Sequence, residues 1–400
     1  MSWRKLWLLL VVLVLVIVAG VGEPAIVQAD RTYVVTFFMA DDKYDEGWNA
    51  AHDDGVRKLM ELGDVIKEWD MGFVVDLADK RFYDKLEVNL VTNVGQGSGI
   101  EGKIRSAIEV QSPDMTFETW WTSKDAVSAL APEFPEVIFN HCSGYPVITS
   151  EQFSTRNVAT YFVRMYYADF VVGKVAGRNG HNKVGVVATF PIPEPVRGFN
   201  AFAQGLQAGL REAGMNDDVE INIIWIEEWL HREKELLATR ALIDAGYEMI
   251  KQGADTPTTA QTACEEGVDV LGYGRDTLPT ASCTMVTNEW DWGDYYVKSV
   301  LAGIKGRWQP HDYYEEGTNI VFHPDTPQDV LDMVAETTLE EVWAGPINGY
   351  GYDENGERYE IFIPDGSVLT DEDLLSMQWL HSGIQTGQQP SAPKFRFAVE

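Results

Sequence analysis

A short β-branched run, a stiff loop and an amphipathic helix follow one another again and again in this chain, and that repetition limits the folds open to it. The clearest unit spans residues 183–202. Val184, Val186 and Val187 give a strand; Phe190-Pro191-Ile192-Pro193-Glu194-Pro195 gives a proline-stiffened loop; Phe199, Phe202 and Leu206 give a helix its apolar face. Prolines fix φ and remove backbone donors, so this loop is preset. Ligands of open α/β sheets sit beyond the carboxyl ends of the strands, which makes 190–195 a candidate binding loop and a plain surface connection its rival.

The spacing predicts further strands over 32–39, 73–77, 86–94, 115–118, 137–140, 220–226, 249–252, 268–273 and 284–286. Helices are predicted over 48–62, from 100, from 124, and over 161–177, 231–245, 258–266 and 292–305. Alternating βα units imply parallel sheets with crossover helices, and their number exceeds one compact sheet, so the fold class is α/β with two lobes. From Gly345 the pattern changes. Asp353-Glu354-Asn355-Gly356 between two aromatic-rich runs signals a hairpin, and Thr370 with Asp373 signals a helix cap. The stretch 385–394 reads as a frayed end.

Arg4 and Lys5 make the first five residues positive, 6–19 are apolar, and Val27-Gln28-Ala29 precedes Asp30, which reads as a secretory signal over 1–29; an uncleaved anchor is the alternative. Either places the remainder outside the cytoplasm, periplasmic or at the cell surface. With 45% hydrophobic residues the chain can bury a substantial core. The formal net charge of -31 disfavours nucleic acid as a partner and free anions as ligands, and a salty habitat would account for it. Cys142, Cys264 and Cys283 form no metal-ligand spacing and read as buried thiols, with one disulfide at most.

Residues 95–103 contain a G-x-G-x-x-G match and a near phosphate loop, but Ile104 stands where a magnesium-holding Ser or Thr is needed. A tight, closely packed turn is the reading favoured there. No G-x-S-x-G elbow occurs, His141 and Cys142 are adjacent and diverge on a strand, and the seven histidines form no H-x-x-x-H pair. Neither catalysis, metal nor cofactor is indicated. Aromatic residues do recur at strand ends and helix starts: Trp48, Trp120, Trp121, Phe190, Trp225, Trp229, Trp290 and Trp292, beside Asn49, Glu194, Asp255 and Asp276. Aromatics at such positions can stack on a flat ligand, although each alone is as readily core packing.

Gly47-Trp48-Asn49-Ala50-Ala51-His52 and Phe190-Pro191-Ile192-Pro193-Glu194 with Arg197, Gly198, Asn200, Ala201 and Phe202 resemble the basic membrane protein family, the PnrA-like substrate-binding proteins of ABC importers. Glu133-Phe134-Pro135 and the segments 157–161, 290–296 and 371–379 also match. The resemblance implies a type I periplasmic binding protein fold, two Rossmann-like lobes joined by a hinge with ligand in the interlobe cleft. Residues 31–150 with about 276–306 would form one lobe, 151–272 with about 307–344 the other, and 345–400 would pack on both. It implies a receptor, not an enzyme, that delivers a purine nucleoside or nucleobase to ABC permease subunits. By position, Trp48 and Trp121 would stack the base; Asn49, Asp255 and Asp276 would bond its edges or ribose; Phe190, Glu194 and Trp225 would line the other lobe, and Trp290 the cleft. Gly274 stands where relatives commonly have Asp, and no lipid-anchor cysteine follows the apolar run; the first departure favours a smaller ligand such as a nucleobase. A simple-sugar receptor, a sensor subunit and a secreted nucleosidase-like enzyme are the competing readings.

Overall fold

The structure, a computed structural model, describes residues 30–143, 155–315 and 317–387. The expected signal at 1–29, the lobe boundary at 150/151 and the tail from 388 lie outside these residues.

The first sheet contains β1 (Thr32–Phe38), β2 (Gly63–Trp69), β3 (Gly72–Leu77), β4 (Lys85–Val91), β5 (Met115–Glu118), β6 (Ile138–Cys142) and β7 (Val158–Val163). The second contains β8 (Lys183–Ala188), β9 (Glu220–Trp225), β10 (Met249–Gly253), β11 (Asp269–Gly274) and β12 (Thr284–Trp290). Then β13 (Asp312–Glu315) returns to the first sheet and β14 (Thr318–Phe322) to the second, giving orders β13-β7-β6-β5-β1-β4-β3-β2 and β14-β12-β11-β10-β8-β9. A third sheet of β15 (Ile347–Tyr352), β16 (Arg358–Ile363) and β17 (Leu380–His381) follows, and β18 (Ile384–Thr386) adds an edge to the second.

Parallel pairing runs through β4-β1-β5-β6-β7 and through β9-β8-β10-β11-β12. Parallel neighbours need crossover helices, and the chain supplies α1 (Trp48–Arg57), α2 (Ile100–Gln111), α3 (Lys124–Leu130), α4 (Met165–Arg178), α5 (Pro193–Glu212), α6 (Arg232–Asp244), α7 (Thr258–Glu265) and α8 (Gly293–Ile304). Two shorter helices, α9 (Gln328–Glu336) and α10 (Asp371–Leu375), come later. The chain passes between the sheets three times: after β7, between β12 and α8, and between β13 and β14.

Several expectations change. The apolar run at 158–163 is buried on both faces and pairs with β6, so Tyr161 belongs to a strand, and the helix begins only at Met165. A continuous apolar run fits either element, and tertiary pairing decided it. Sheet membership also moves: β7 and β13 sit with the first sheet and β12 with the second, opposite to the ranges read from sequence. β2, β13, β14, β17, β18 and α9 were not foreseen; β2 is an exposed edge whose side chains carry no buried period, and β18 pairs with β9 where a frayed end was expected from 385. Cys264 and Cys283 are disulfide-bonded, with Cα atoms 5.7 Å apart, because α7 ends beside the start of β12; only Cys142 is a buried thiol. The hairpin at 353–356 and the Thr370/Asp373 capping box form as expected.

Helices α4 and α5 pack backbone to backbone. A Cβ at Gly173 would strike the Phe202 carbonyl, and one at Gly205 the Phe170 carbonyl. Gly205→Val should therefore lose about 3 kcal/mol in urea unfolding by overpacking this seam. Gly102→Ala, on α2 where a Cβ meets nothing within 4 Å, should gain about 0.5–1 kcal/mol from helix propensity.

Candidate functional site

The carboxyl ends of both parallel sheets meet at one cleft of about 180 Å3. The first lobe contributes Asp41 and Asp45 after β1, Trp48 and Asn49 on α1, Gln96, and Trp120 to Thr122 after β5. The second contributes Ile192 to Glu194 and Arg197 after β8, Trp229 and Leu230 after β9, Asp255 after β10 and Tyr273 on β11. Phe162 and Trp290 sit at two of the chain crossings, and Leu375 of α10 closes one side.

Asp45 organises the entrance to α1. Its carboxylate accepts from the backbone N–H groups of Gly47, Asn49 and Ala50 and from the Asn49 side-chain amide, at 2.7–3.0 Å. A carboxylate suits a helix N-terminus, where free N–H groups and the dipole favour negative charge. Asn49 is buried, and its Oδ1 has no partner among the described residues although it belongs to the cleft wall. Trp48 donates from Nε1 to the Thr119 carbonyl at 2.8 Å and packs edge-on against Trp290 and Trp292. Trp121 is half-buried, with Lys124 4.9 Å from its ring centre.

Of the residues expected from sequence, Trp48, Asn49, Trp121, Glu194, Asp255 and Trp290 come together at the cleft. Three do not. Trp225 shares the face of β9 with Ile221 and Ile223, so the twofold strand period turns its ring into the core against Phe199, 5.7 Å away. Phe190 meets the ring of Trp229 at 4.9 Å, and Trp229 is the residue of that pair on the wall. Asp276 accepts from its own turn, from Leu278 N–H at 2.9 Å. Sequence reasoning missed Asp41, Asp45, Gln96, Phe162, Arg197 and Tyr273 as site residues. The strand-end rule could have found Asp41 and Asp45; Phe162 was hidden by the misread helix. The glycine-rich segment is not the closely packed turn expected, since a Cβ at Gly97, Gly99 or Gly102 would meet nothing within 4 Å, and Lys103 turns back to donate to the Asn93 and Val94 carbonyls. Gln96 instead joins the cleft and accepts from Thr122 Oγ1 at 2.8 Å.

Four carboxyl groups and one guanidinium line the cleft. Burial pushes Glu194 up to about 7, with Asp169 adding to the rise and Arg197 opposing it. Its side chain keeps some contact with cleft solvent, yet the surrounding protein desolvates it. Asp255 is raised well above the carboxylate range, first by burial and then by Asp45, Glu235 and Glu194. Asp41 is raised by burial and by Asp45, and lowered by its bond with Gln96. Behind Arg197, Lys251 and Asp169 form a buried ion pair at 2.9 Å, and Asn288 donates to the same carboxylate. Among the described residues no group of three His, Cys, Asp or Glu side chains could hold a metal.

Two lobes of parallel sheet, joined by three crossings and facing each other across an aromatic and acidic cleft, define a two-lobed binding protein of the periplasmic type. The family described as ABC transporter substrate-binding protein PnrA-like matches residues 32–314, and the chain belongs to that family. A purine-binding protein of Brucella abortus is 26% identical over 379 residues, covering 93% of this chain and 98% of its own. A putative ABC transporter glucose-binding protein of Haloferax volcanii is 26% identical over 300 residues, covering 72% and 73%. The fold resembles that of an ABC transporter solute-binding protein from Aeropyrum pernix, with a TM-score of 0.58 at 16% identity over 76% of this chain and 85% of that one. Among the described residues no helix is long and apolar enough to cross a membrane.

A carboxyl group whose folded pKa is raised stabilises the protein below its unfolded pKa, and that stability is lost as pH rises through the folded value. Glu194 therefore costs stability above about pH 7. Glu194→Gln should melt about 2 °C or more above the parent at alkaline pH, with the gap narrowing as pH falls and closing only below about pH 4.5, where the carboxyl is protonated folded and unfolded alike, read by calorimetry.

Proposed function

We propose that this protein is the extracytoplasmic receptor of an ABC importer and binds a purine nucleobase or nucleoside in the cleft, delivering it to permease subunits from the closed state. The observation that carries this reading is the pairing of flat aromatic walls with hydrogen-bond acceptors. Five tryptophans, Trp48, Trp120, Trp121, Trp229 and Trp290, line the cleft among the described residues, and Asn49 Oδ1, an acceptor with no partner among those residues, lies beside them. A purine offers two π faces and ring or exocyclic N–H donors, so it fits both features. An anionic ligand does not, since among the described residues Arg197 is the single cation beside four cleft carboxyl groups. The purine-binding relative, which spans nearly the whole chain, supports the same class.

Closure follows from differential contact. A ligand that touches Trp48, Asn49 and Trp121 on one lobe and Glu194, Trp229 and Asp255 on the other gains all its contacts only when the lobes meet, so it shifts the hinge equilibrium toward the closed form. No covalent step is required. Sugars also stack on tryptophan, and the glucose-binding relative keeps that class in the test. A raised carboxyl such as Glu194 is also what a nucleosidase would use as a general acid, so turnover is assayed directly.

In a thermal-shift screen, purine bases and nucleosides at about a hundred times their dissociation constant should stabilise the protein by about 2.7 kcal/mol, with glucose and galactose inert. Shifts by sugars alone would rule out the purine reading. Chromatography of the nucleosides after long incubation should return them intact, and free base would establish an enzyme. Trp121→Ala should weaken purine binding by roughly 5- to 150-fold, the equivalent of about 1–3 kcal/mol of stacking, with the unliganded melting temperature nearly unchanged. Trp48→Ala should lower both, because its indole is tied into the core through Thr119, Trp290 and Trp292.

A further inference from the structure

Helix α1 and the two residues before it carry two kinds of residue within a little over two turns. Trp48 and Asn49 face the cleft. Glu46, Gly47 and Asp54, on or just before the same helix, instead touch the second lobe directly, without any ligand between. Glu46 pairs with Arg232 at the start of α6. Asp54 accepts from Arg275, which follows β11, at 2.7–2.8 Å from two guanidinium nitrogens. Between these ion pairs the backbone of Gly47 lies against the carbonyl of Asp255, closely enough that a Cβ at position 47 would overlap that oxygen and its carbon.

The Asp255 side of this contact is fixed from within its own lobe, since the Asp255 N–H donates to the Trp229 carbonyl at 3.0 Å. The Gly47 side is fixed by Asp45, which accepts the Gly47 N–H at 3.0 Å. Two braced backbones therefore meet at a point where only hydrogen fits. Neither Gly47 nor any of the four ion-pair residues lines the cleft itself.

We propose that Gly47, flanked by the Glu46–Arg232 and Asp54–Arg275 pairs, is a positioning residue for cleft closure: these contacts latch the lobes together and populate the closed form before ligand arrives. The proposal rests on the reading of the cleft as one that opens and closes. Exposed ion pairs are individually weak and are screened by salt, whereas the backbone contact is not electrostatic in origin. The latch thus has a salt-sensitive part and a steric part. A side chain at position 47 acts as a doorstop, present on the rim but outside the ligand's reach. Because a receptor's apparent affinity scales with the fraction of competent closed protein, residues that never touch the ligand set part of that affinity.

The test uses spin labels on cysteines introduced at two exposed positions, Val110 on α2 of the first lobe and Leu237 on α6 of the second. Pulsed electron resonance on the ligand-free protein reads the interlobe distance distribution. The parent should show a short-distance population in low salt that shrinks in molar salt. Gly47→Val should reduce that population by about tenfold or more in either salt, with circular dichroism unchanged. Glu46→Arg and Arg232→Glu should each reduce it in low salt, and the two together should restore it, a result that a local folding defect would not give. A Gly47→Val distribution matching the parent, no rescue in the charge swap, or a parent with one distance at every salt concentration would each overturn the latch. Adding adenine as a separate arm tests the receptor reading: if it leaves the parent unmoved while the ligand-free comparisons hold, the ligand class fails and the latch stands.

Discussion

The cleft depends on an aromatic block built where the chain crosses from the second sheet to the first lobe. Trp290 ends β12 and Trp292 opens α8, and their rings stack 5.2 Å apart across the crossing. His52 stacks on Trp292 at 4.6 Å, Trp48 meets both tryptophans edge-on, and Tyr161 and Tyr296 continue the cluster inward to Phe117 and Phe37. Burying rings of this size against one another supplies much area and fixed geometry at low rotamer cost. The wall that a ligand would meet is thus the outer surface of a packed core. Its rigidity comes from rings packed behind the cleft wall, and it sits at a crossing between the two sheets.

Charge acts on two scales. The formal net charge of -31 creates a field that salt screens beyond about 10 Å at about 0.1 M. Inside the cleft the screening is weak, and Asp45 of the first lobe faces Glu194 and Asp255 of the second, which contributes to the raised Asp255. The nearness of these groups carries an electrostatic cost, which protonation of Asp255 offsets. The outer rim has the reverse arrangement, with opposite charges meeting in the Glu46–Arg232 and Asp54–Arg275 pairs.

Much of this was legible in the chain. The βα alternation gave the parallel sheets because the buried period of strands such as β4, alternating along Lys85–Val91, is written in the residues. The candidate loops followed from the rule that parallel strands present ligands at their carboxyl ends, and Trp48, Asn49, Trp121, Glu194, Asp255 and Trp290 were found that way. What could not be read was direction. Trp225 and Phe190 lie at the right strand ends, but which way a ring turns depends on register and on the neighbouring helix, and both turned inward or onto another ring. Sheet membership of β7, β12 and β13 was equally hidden, since a strand at a crossing carries the same apolar code whichever sheet receives it. The Cys264–Cys283 bond depended on a meeting between α7 and β12 that no spacing encodes.

The segment after β14 lies beyond the stretch matched by the family, yet it reaches the cleft and the crossings between the two sheets. Leu375 forms part of the cleft wall, and Asp371 on the same helix accepts from Arg164 at 2.6 Å, just after β7, where the chain first leaves the first sheet. Arg164 also lies 4.0 Å from the ring centre of Tyr314 on β13, beside another crossing. The tail therefore works as a splint tied across two of the three connecting strands. A lineage could retune how stiffly such a receptor bends, and so how long it holds its cargo, by changing these terminal residues while the loops that recognise the cargo stay as they are.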